Sequence, residues 1–238
     1  MRLEERLKKI ADMVPLGAKI ADVGTDHAYL PLFLVKEGKV DYAVASDINK
    51  GPYLAAKETI NKSNLAPDLK DKISIRLGDG LKTLVKGETD VLIIAGMGGI
   101  TIIDILKDNP DITESFKKMI LQPMNAAEKL RQYLCENKWQ ITAEDLVLRK
   151  HQGNTIYQII AFEKSETTSV KIDPVFYEIG PLLFANKHPL LKLFISEQIS
   201  SLKKIVLSLE KSDLTKSSEK HSELITQIKN LEDKLACL

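Results

Sequence analysis

Apolar positions in the first fifteen residues fall at Leu3, Leu7, Ile10 and Val14, a spacing that predicts an amphipathic helix over residues 2–13, stopped by Pro15 and Gly17. Beyond it the pattern changes. Short apolar runs at 19–23, 42–46, 73–77, 91–95 and 118–122 alternate with helical segments, among them 29–37, 52–63 and 125–137. Each run is about five residues long, which suits a buried strand, and the alternation predicts parallel strands joined by helical crossovers. Residues 140–148 and 155–162 follow, separated by Gln152-Gly153-Asn154, a turn signal with no room for a helix. They predict an antiparallel hairpin. Five βα units closed by that hairpin make a seven-stranded, Rossmann-like α/β sheet over residues 1–165.

Residues 163–169 are polar and aperiodic and read as a linker. After it, Leu191, Ile195, Leu202, Val206 and Leu209 keep a spacing near 3.5 residues, and Leu224, Ile228, Leu231 and Leu235 repeat it beyond a polar break at 211–219. Residues 170–238 are therefore expected to form a C-terminal helical domain, two helices folded back as an antiparallel coiled coil.

Lys and Arg number 34 against 33 Asp and Glu, so bulk charge draws the chain to neither nucleic acid nor membrane, and any polyanion has to be held by a local patch. The charged start Met1-Arg2-Leu3-Glu4-Glu5-Arg6 has no apolar core of a signal peptide, and the apolar stretch 91–103 is too short and glycine-broken to span a bilayer. A cytoplasmic protein is expected. Cys135 and Cys237 form no CxxC or Cys/His cluster, which predicts reduced thiols and no metal site. A monomer or weak homodimer is expected.

The chemistry concentrates at the carboxyl ends of the expected strands, where open parallel sheets bind ligands. Asp22-Val23-Gly24-Thr25-Asp26-His27 leaves the first strand. Gly24 allows a ligand to approach the backbone, but Asp26 stands where a dinucleotide loop carries its second glycine. A carboxylate there repels a pyrophosphate and attracts a sulfonium with its α-amino group, so the loop favours S-adenosylmethionine over NAD. Asp26 reads equally well as a helix N-cap. Asp47, about 20 residues on, suits ribose hydroxyls, with Ile48 beside it and a helix cap as the plainer reading. Gly78-Asp79-Gly80 ends the third strand as either an adenine contact or a turn. Ala95-Gly96-Met97-Gly98-Gly99 ends the fourth, where glycines let a flat base lie against the backbone or simply make a tight turn. Gln122-Pro123-Met124-Asn125 ends the fifth and offers groups for a base edge, with Asn125 also reading as an N-cap. The Asn/Asp-Pro-Pro-Tyr motif of many exocyclic-amine methyltransferases is absent.

In order along the chain, Gly24-Thr25-Asp26-His27-Ala28-Tyr29-Leu30-Pro31, Ser46-Asp47-Ile48-Asn49, Gly78-Asp79-Gly80-Leu81, Ala95-Gly96-Met97-Gly98-Gly99 and Leu121-Gln122-Pro123 resemble the bacterial tRNA (adenine(22)-N1)-methyltransferase family. The resemblance covers about the first 165 residues, and the helical C-terminus is similar too. It implies a class I methyltransferase that carries a methyl group from S-adenosylmethionine to adenine N1 of tRNA. Asp22, Gly24, Asp26, His27, Asp47, Ile48, Gly78, Asp79, Gly80, Ala95, Gly96 and Met97 are then the cofactor candidates. Asp26, Tyr29, Gly96, Met97, Gly98 and Asn125 are the catalytic ones. Arg149-Lys150-His151 offers positive charge to tRNA phosphates, or is a solvated hairpin tip. Two rival classes remain: a small-molecule methyltransferase dimerised through its coiled coil, and a non-enzymatic RNA-binding adapter.

Overall fold

The computed structural model describes residues 3–150, 154–165, 172–211 and 219–238. The chain runs α1 (Glu5–Met13), β1 (Ala18–Val23), α2 (Tyr29–Lys36), β2 (Val40–Asp47), α3 (Lys50–Lys62), α4 (Pro67–Lys70), β3 (Ile73–Leu77), β4 (Val91–Met97), α5 (Gly99–Lys107), α6 (Pro110–Thr113), β5 (Lys118–Pro123), α7 (Ala127–Glu136), β6 (Trp139–Lys150) and β7 (Asn154–Lys164). Four further helices follow: α8 (Pro174–Ile179), α9 (Pro181–Ala185), α10 (Leu191–Lys211) and α11 (Glu219–Ala236).

The seven strands lie in the order β3-β2-β1-β4-β5-β7-β6. The first five are parallel, and β7 joins antiparallel to both β5 and β6. Strand order reverses between β1 and β4, which puts the crevice at the carboxyl ends of those two strands. Buried neighbours along a strand serve opposite faces. Ile20 and Ile93 pack with Ile10, Leu34 and Ile60 from α1, α2 and α3, whereas Ala21, Leu92 and Ile94 pack with Ile102, Leu106, Leu130 and Leu134 from α5 and α7. That two-sided cover explains why the strands read as unbroken apolar runs.

One βα unit departs from the expected pattern. Between β3 and β4 there is only a 3-10 turn over Gly80–Thr83, entered at Gly80 with φ 52° and ended by extended backbone at Leu84. In the C-terminal part, the heptad-like positions do form a core: Leu191, Ile195, Val206, Ile228 and Leu231 are buried together. Contacts of Lys203 with Glu232 and of Glu210 with His221 set α10 and α11 antiparallel. The short helices α8 and α9 were not foreseen; each begins with a proline in its first turn.

This C-terminal core is continuous with the sheet. Leu146 of β6 belongs to it, and Ile156 of β7 packs against it. Against it lies a polar cluster built on a buried ion pair. Arg131 of α7 donates to Glu144 Oε1, the Tyr177 carbonyl and Gln158 Oε1, each at 2.8 Å, and neither Arg131 nor Glu144 has side-chain exposure. Glu144 Oε2 accepts the Leu182 N–H at 2.8 Å and the Leu183 N–H at 3.4 Å, two donors in the first turn of α9 that have no intrahelical acceptor. Gly180 is required there: its φ is 86°, and a Cβ would stand 2.8 Å from Glu144 Oε1.

Candidate active site

Four loops meet at the carboxyl ends of β1, β2, β4 and β5. Gly24 turns at φ 77°, and its N–H and that of Thr25 donate to the Ser46 carbonyl at 2.8 and 3.0 Å, tying the first loop to β2. A Cβ on Gly24 would lie 2.3 Å from the Met97 methyl. The loops after β1 and β4 are thus in contact only because position 24 has no side chain.

Asp22 is buried, with its Oδ2 accepting the Thr25 hydroxyl at 2.7 Å. Burial pushes its carboxyl up to about 6, opposed by the Thr25 hydrogen bond and the Arg6 charge and reinforced by Asp47. Because the folded pKa lies above the usual 3.8, the folded chain holds a proton between those values that the unfolded chain has lost. The Asp22 contribution to stability is then full below about pH 4 and disappears as pH rises through about 6. Asp22→Asn should remove a pH dependence on the order of 3 kcal/mol between those limits. Urea midpoints of both proteins at pH 4 and pH 7 check this; parallel pH trends would refute it.

Asp47 is also buried. Its Oδ1 accepts the Asn49 N–H at 2.9 Å, and Oδ2 lies 3.4 Å from the Asp26 nitrogen. It therefore braces two loops, while the helix cap of α3 is Asn49, whose side chain makes no capping bond. Ile48 and Leu77 stand exposed on either side, an apolar edge beside a buried carboxylate. Gly78 donates to the Asp47 carbonyl at 3.0 Å, Gly80 begins the 3-10 turn, and Asp79 pairs with Lys82 at 2.6 Å in solvent.

Asp26 is exposed and sits at φ 53°, as does Ala28, which is the cap residue of α2. The capping reading of Asp26 does not apply, since α2 has no side-chain cap. His27 and Tyr29 stack with ring centroids 5.2 Å apart and planes 10° from parallel, and His27 Nε2 lies 3.8 Å from Asp26 Oδ1. Nor is Asn125 the cap of α7, a position held by Ala126 at φ 49°. Its exposed amide lies against Gly98, where a Cβ would come within 3.1 Å of Oδ1. Gly99 donates to the Asn125 carbonyl, and a Cβ on it would stand 2.5 Å from the Ala126 carbonyl oxygen. Ala95 precedes the Gly96 bulge of β4.

Gln122 differs from expectation. It is fully buried and both ends of its amide are engaged: Oε1 accepts from Gly96 N–H at 3.1 Å and Arg6 Nη1 at 2.5 Å, while Nε2 donates to the Pro123 carbonyl at 3.0 Å. It is not free to read a base edge. Arg6 itself was missed, because periodicity places it merely on the polar side of the first helix. Arg149 reaches the Tyr157 hydroxyl at 3.3 Å and Glu4 at 3.9 Å; His151 and the Lys150 side chain lie outside the described residues. Among the described residues no helix is long and apolar enough to cross a membrane.

The residues present suit a flat, cationic, ribose-bearing cofactor: two buried carboxylates, a backbone left bare at Gly24, and apolar side chains at Ile48 and Leu77. Sheet order, the switch-point crevice and this donor set define a Rossmann-like methyltransferase. A family model described as tRNA (adenine(22)-N(1))-methyltransferase matches residues 20–233. The tRNA (adenine(22)-N(1))-methyltransferase of Bacillus subtilis (strain 168) is 31% identical over 98% of this chain and 97% of its own. The Streptococcus pneumoniae protein Sp1610, solved in complex with S-adenosyl-L-methionine, is 30% identical, with a TM-score of 0.82 over 98% of this chain and 100% of that one. The M. capricolum protein TrmK, solved with S-adenosyl-homocysteine, is 26% identical, with a TM-score of 0.81 over 99% of both chains. The chain belongs to the tRNA (adenine(22)-N(1))-methyltransferase family.

Proposed function

We propose that this protein transfers a methyl group from S-adenosylmethionine to N1 of adenine 22 in tRNA, at the crevice between the β1 and β4 loops. The observation that carries the reading is the buried pair Asp22 and Asp47 beside the bare backbone of Gly24, in a chain of this family. Asp47 is assigned to the ribose hydroxyls, Asp22 and Asp26 to the cationic amino-acid end, and Ile48, Leu77 and the Gly78-Asp79-Gly80 turn to the adenine side. His27 borders the same loop. When bound, the cofactor supplies an electrophilic methyl group.

Adenine N1 has an in-plane lone pair at neutral pH, so the chain's task is to hold that atom in line with the methyl group, within about 3.5 Å. Gly96, Met97 and Gly98 form the floor on which the base lies, with Asn125 at its margin. The methylated base is cationic, and Asp26, the Tyr29 hydroxyl and the carbonyls at 96–98 are the acceptors placed to stabilise that charge. No general base is required. The base has to leave its stack in folded tRNA to reach this floor.

The helical C-terminal part, packed on the hairpin through Leu146 and Ile156, is assigned to holding tRNA. A helix of 21 residues is about 30 Å long, enough to reach along a tRNA arm. Lys204 is exposed on α10, whereas neighbouring Lys203 is already paired with Glu232 at 2.7 Å.

Mass spectrometry of nucleosides from tRNA incubated with protein and cofactor tests the function. 1-Methyladenosine at a single position is the expected product, and its absence refutes the reading. Methylation of a small molecule alone would favour the first rival class, and failure to bind S-adenosylmethionine the second. Tyr29→Phe should melt like the parent and Asp26→Ala only slightly below it, since both side chains are exposed and the one cost is alanine at φ 53°, yet both should lose turnover by about tenfold or more. Parental rates in both variants would remove these residues from the mechanism.

A further inference from the structure

β4 carries a bulge at the acceptor loop. Ala95 pairs with Gln122 and Met97 with Pro123, which leaves Gly96 without a partner in the ladder, at φ 79°. Pro123 has no N–H, and the bulge is closed instead by side-chain chemistry. The Gly96 N–H donates to Gln122 Oε1, and the same oxygen accepts from Arg6. The opposite end of the amide faces the Pro123 carbonyl and Met124 Sδ at 3.6 Å, so a flipped amide would set donors against the Arg6 and Gly96 donors.

We propose that Arg6 is a positioning residue for methyl transfer, fixing the Gly96 bulge of the acceptor loop through the buried carbonyl of Gln122. Helix α1 is pinned on the hairpin by Lys9 to Asp145 at 2.8 Å and Glu4 to Arg149 at 3.9 Å. Between those anchors the Arg6 guanidinium lies 5.7 Å from the centroid of the Tyr157 ring. The loop it steadies continues into Met97, whose methyl fills the space left by the missing side chain of Gly24. Movement at Gly96 is therefore transmitted to both sides of the reacting centre. A guanidinium cannot stabilise a base that becomes cationic, so the contribution of Arg6 to the transfer step is geometric and exerted through Gln122, separate from its charge effect on the Asp22 carboxyl.

The proposal rests on the methyltransferase reading, and steady-state kinetics of Arg6→Ala, Arg6→Lys, Gln122→Met and the Arg6→Ala/Gln122→Met double variant test it. Arg6→Ala should lower kcat by about tenfold or more at saturating cofactor, a sub-ångström misplacement being enough for this, with KM for tRNA within about twofold. KM for cofactor is expected to rise, because losing the Arg6 charge pushes the Asp22 carboxyl further up. Arg6→Lys, which keeps a donor, should recover part of the loss. In the Gln122→Met background the Arg6 substitution should change kcat by less than about twofold, since both act on one link. Unchanged kcat in Arg6→Ala, or losses that multiply in the double variant, would overturn the proposal. A loss confined to KM for tRNA would overturn it as well, by making Arg6 a phosphate contact. Amide hydrogen exchange at Gly96, followed by NMR without tRNA, is a readout independent of activity. Exchange should quicken in Arg6→Ala and less so in Arg6→Lys; unchanged protection in both sinks the link even if the parent protein methylates nothing. Absent methylation by the parent protein sinks the function reading instead. If Arg6→Ala does not fold, Arg6→Lys still decides: its Gly96 exchange should lie between that of the parent and that of Gln122→Met, which removes the acceptor outright, and parental exchange in Arg6→Lys overturns the proposal.

Discussion

Arg131→Ala is expected to destabilise the folded protein by about 3 to 5 kcal/mol, the range for breaking one side of a buried ion pair. The arginine is fully enclosed, and its departure leaves the Glu144 carboxylate in the interior with only the Leu182 and Leu183 N–H groups for company. It also strands the Gln158 side-chain oxygen and the Tyr177 carbonyl. Arg131→Met should cost nearly as much, the result expected if the charge pairing matters beyond the lost volume. Urea unfolding of both variants measures it, and a loss below about 1 kcal/mol would mean that the cluster relaxes or admits water. The cluster joins α7 to α8 and α9, so removing the chain from residue 169 onward uncovers Leu146, Ile156 and this ion pair together. From sequence alone such a truncation is expected to leave an intact cofactor-binding domain. The packing changes that expectation: the shortened protein should be less stable, and point substitutions on the outer faces of α10 and α11 are the better probe of tRNA binding.

The second large effect concerns Asp47. Asp47→Ala should weaken S-adenosylmethionine binding by about 1 to 3 kcal/mol, because ribose hydroxyls would lose a charged acceptor in a buried position. The carboxylate also braces two loops through the Asn49 and Asp26 N–H groups, so loop order contributes to the loss. Asp47→Asn keeps one acceptor oxygen and should fall between parent and alanine. Titration calorimetry decides, with thermal melts run alongside to establish that both variants are folded. Unchanged affinity in Asp47→Ala would remove the ribose assignment.

Much of this site was legible before any fold was known. Gly24, Asp47, Gly78 and Gly96 each follow an apolar run, and a parallel sheet brings the carboxyl ends of its strands to one edge whatever the details of packing. That is why residues far apart in the chain can be assigned to one crevice from periodicity alone. Caps were less legible. Asp26, Asp47 and Asn125 all have the residue type of an N-cap, and none serves as one. Residue type states what a side chain is able to accept; the backbone path determines which N–H it meets.

The sequence by itself determined the seven strands, the longer helices, the closing hairpin and the family, because periodicity and loop chemistry are local properties of the chain. Only the tertiary structure decided the roles of Arg6, Gln122 and Arg131. Arg6 and Gln122 are 116 positions apart and meet at one carbonyl oxygen; Arg131 lies 46 positions from the Tyr177 carbonyl it binds. No local pattern marks a polar residue that a distant element will bury, since its partner exists only once the sheet has been assembled and the helices have packed against it.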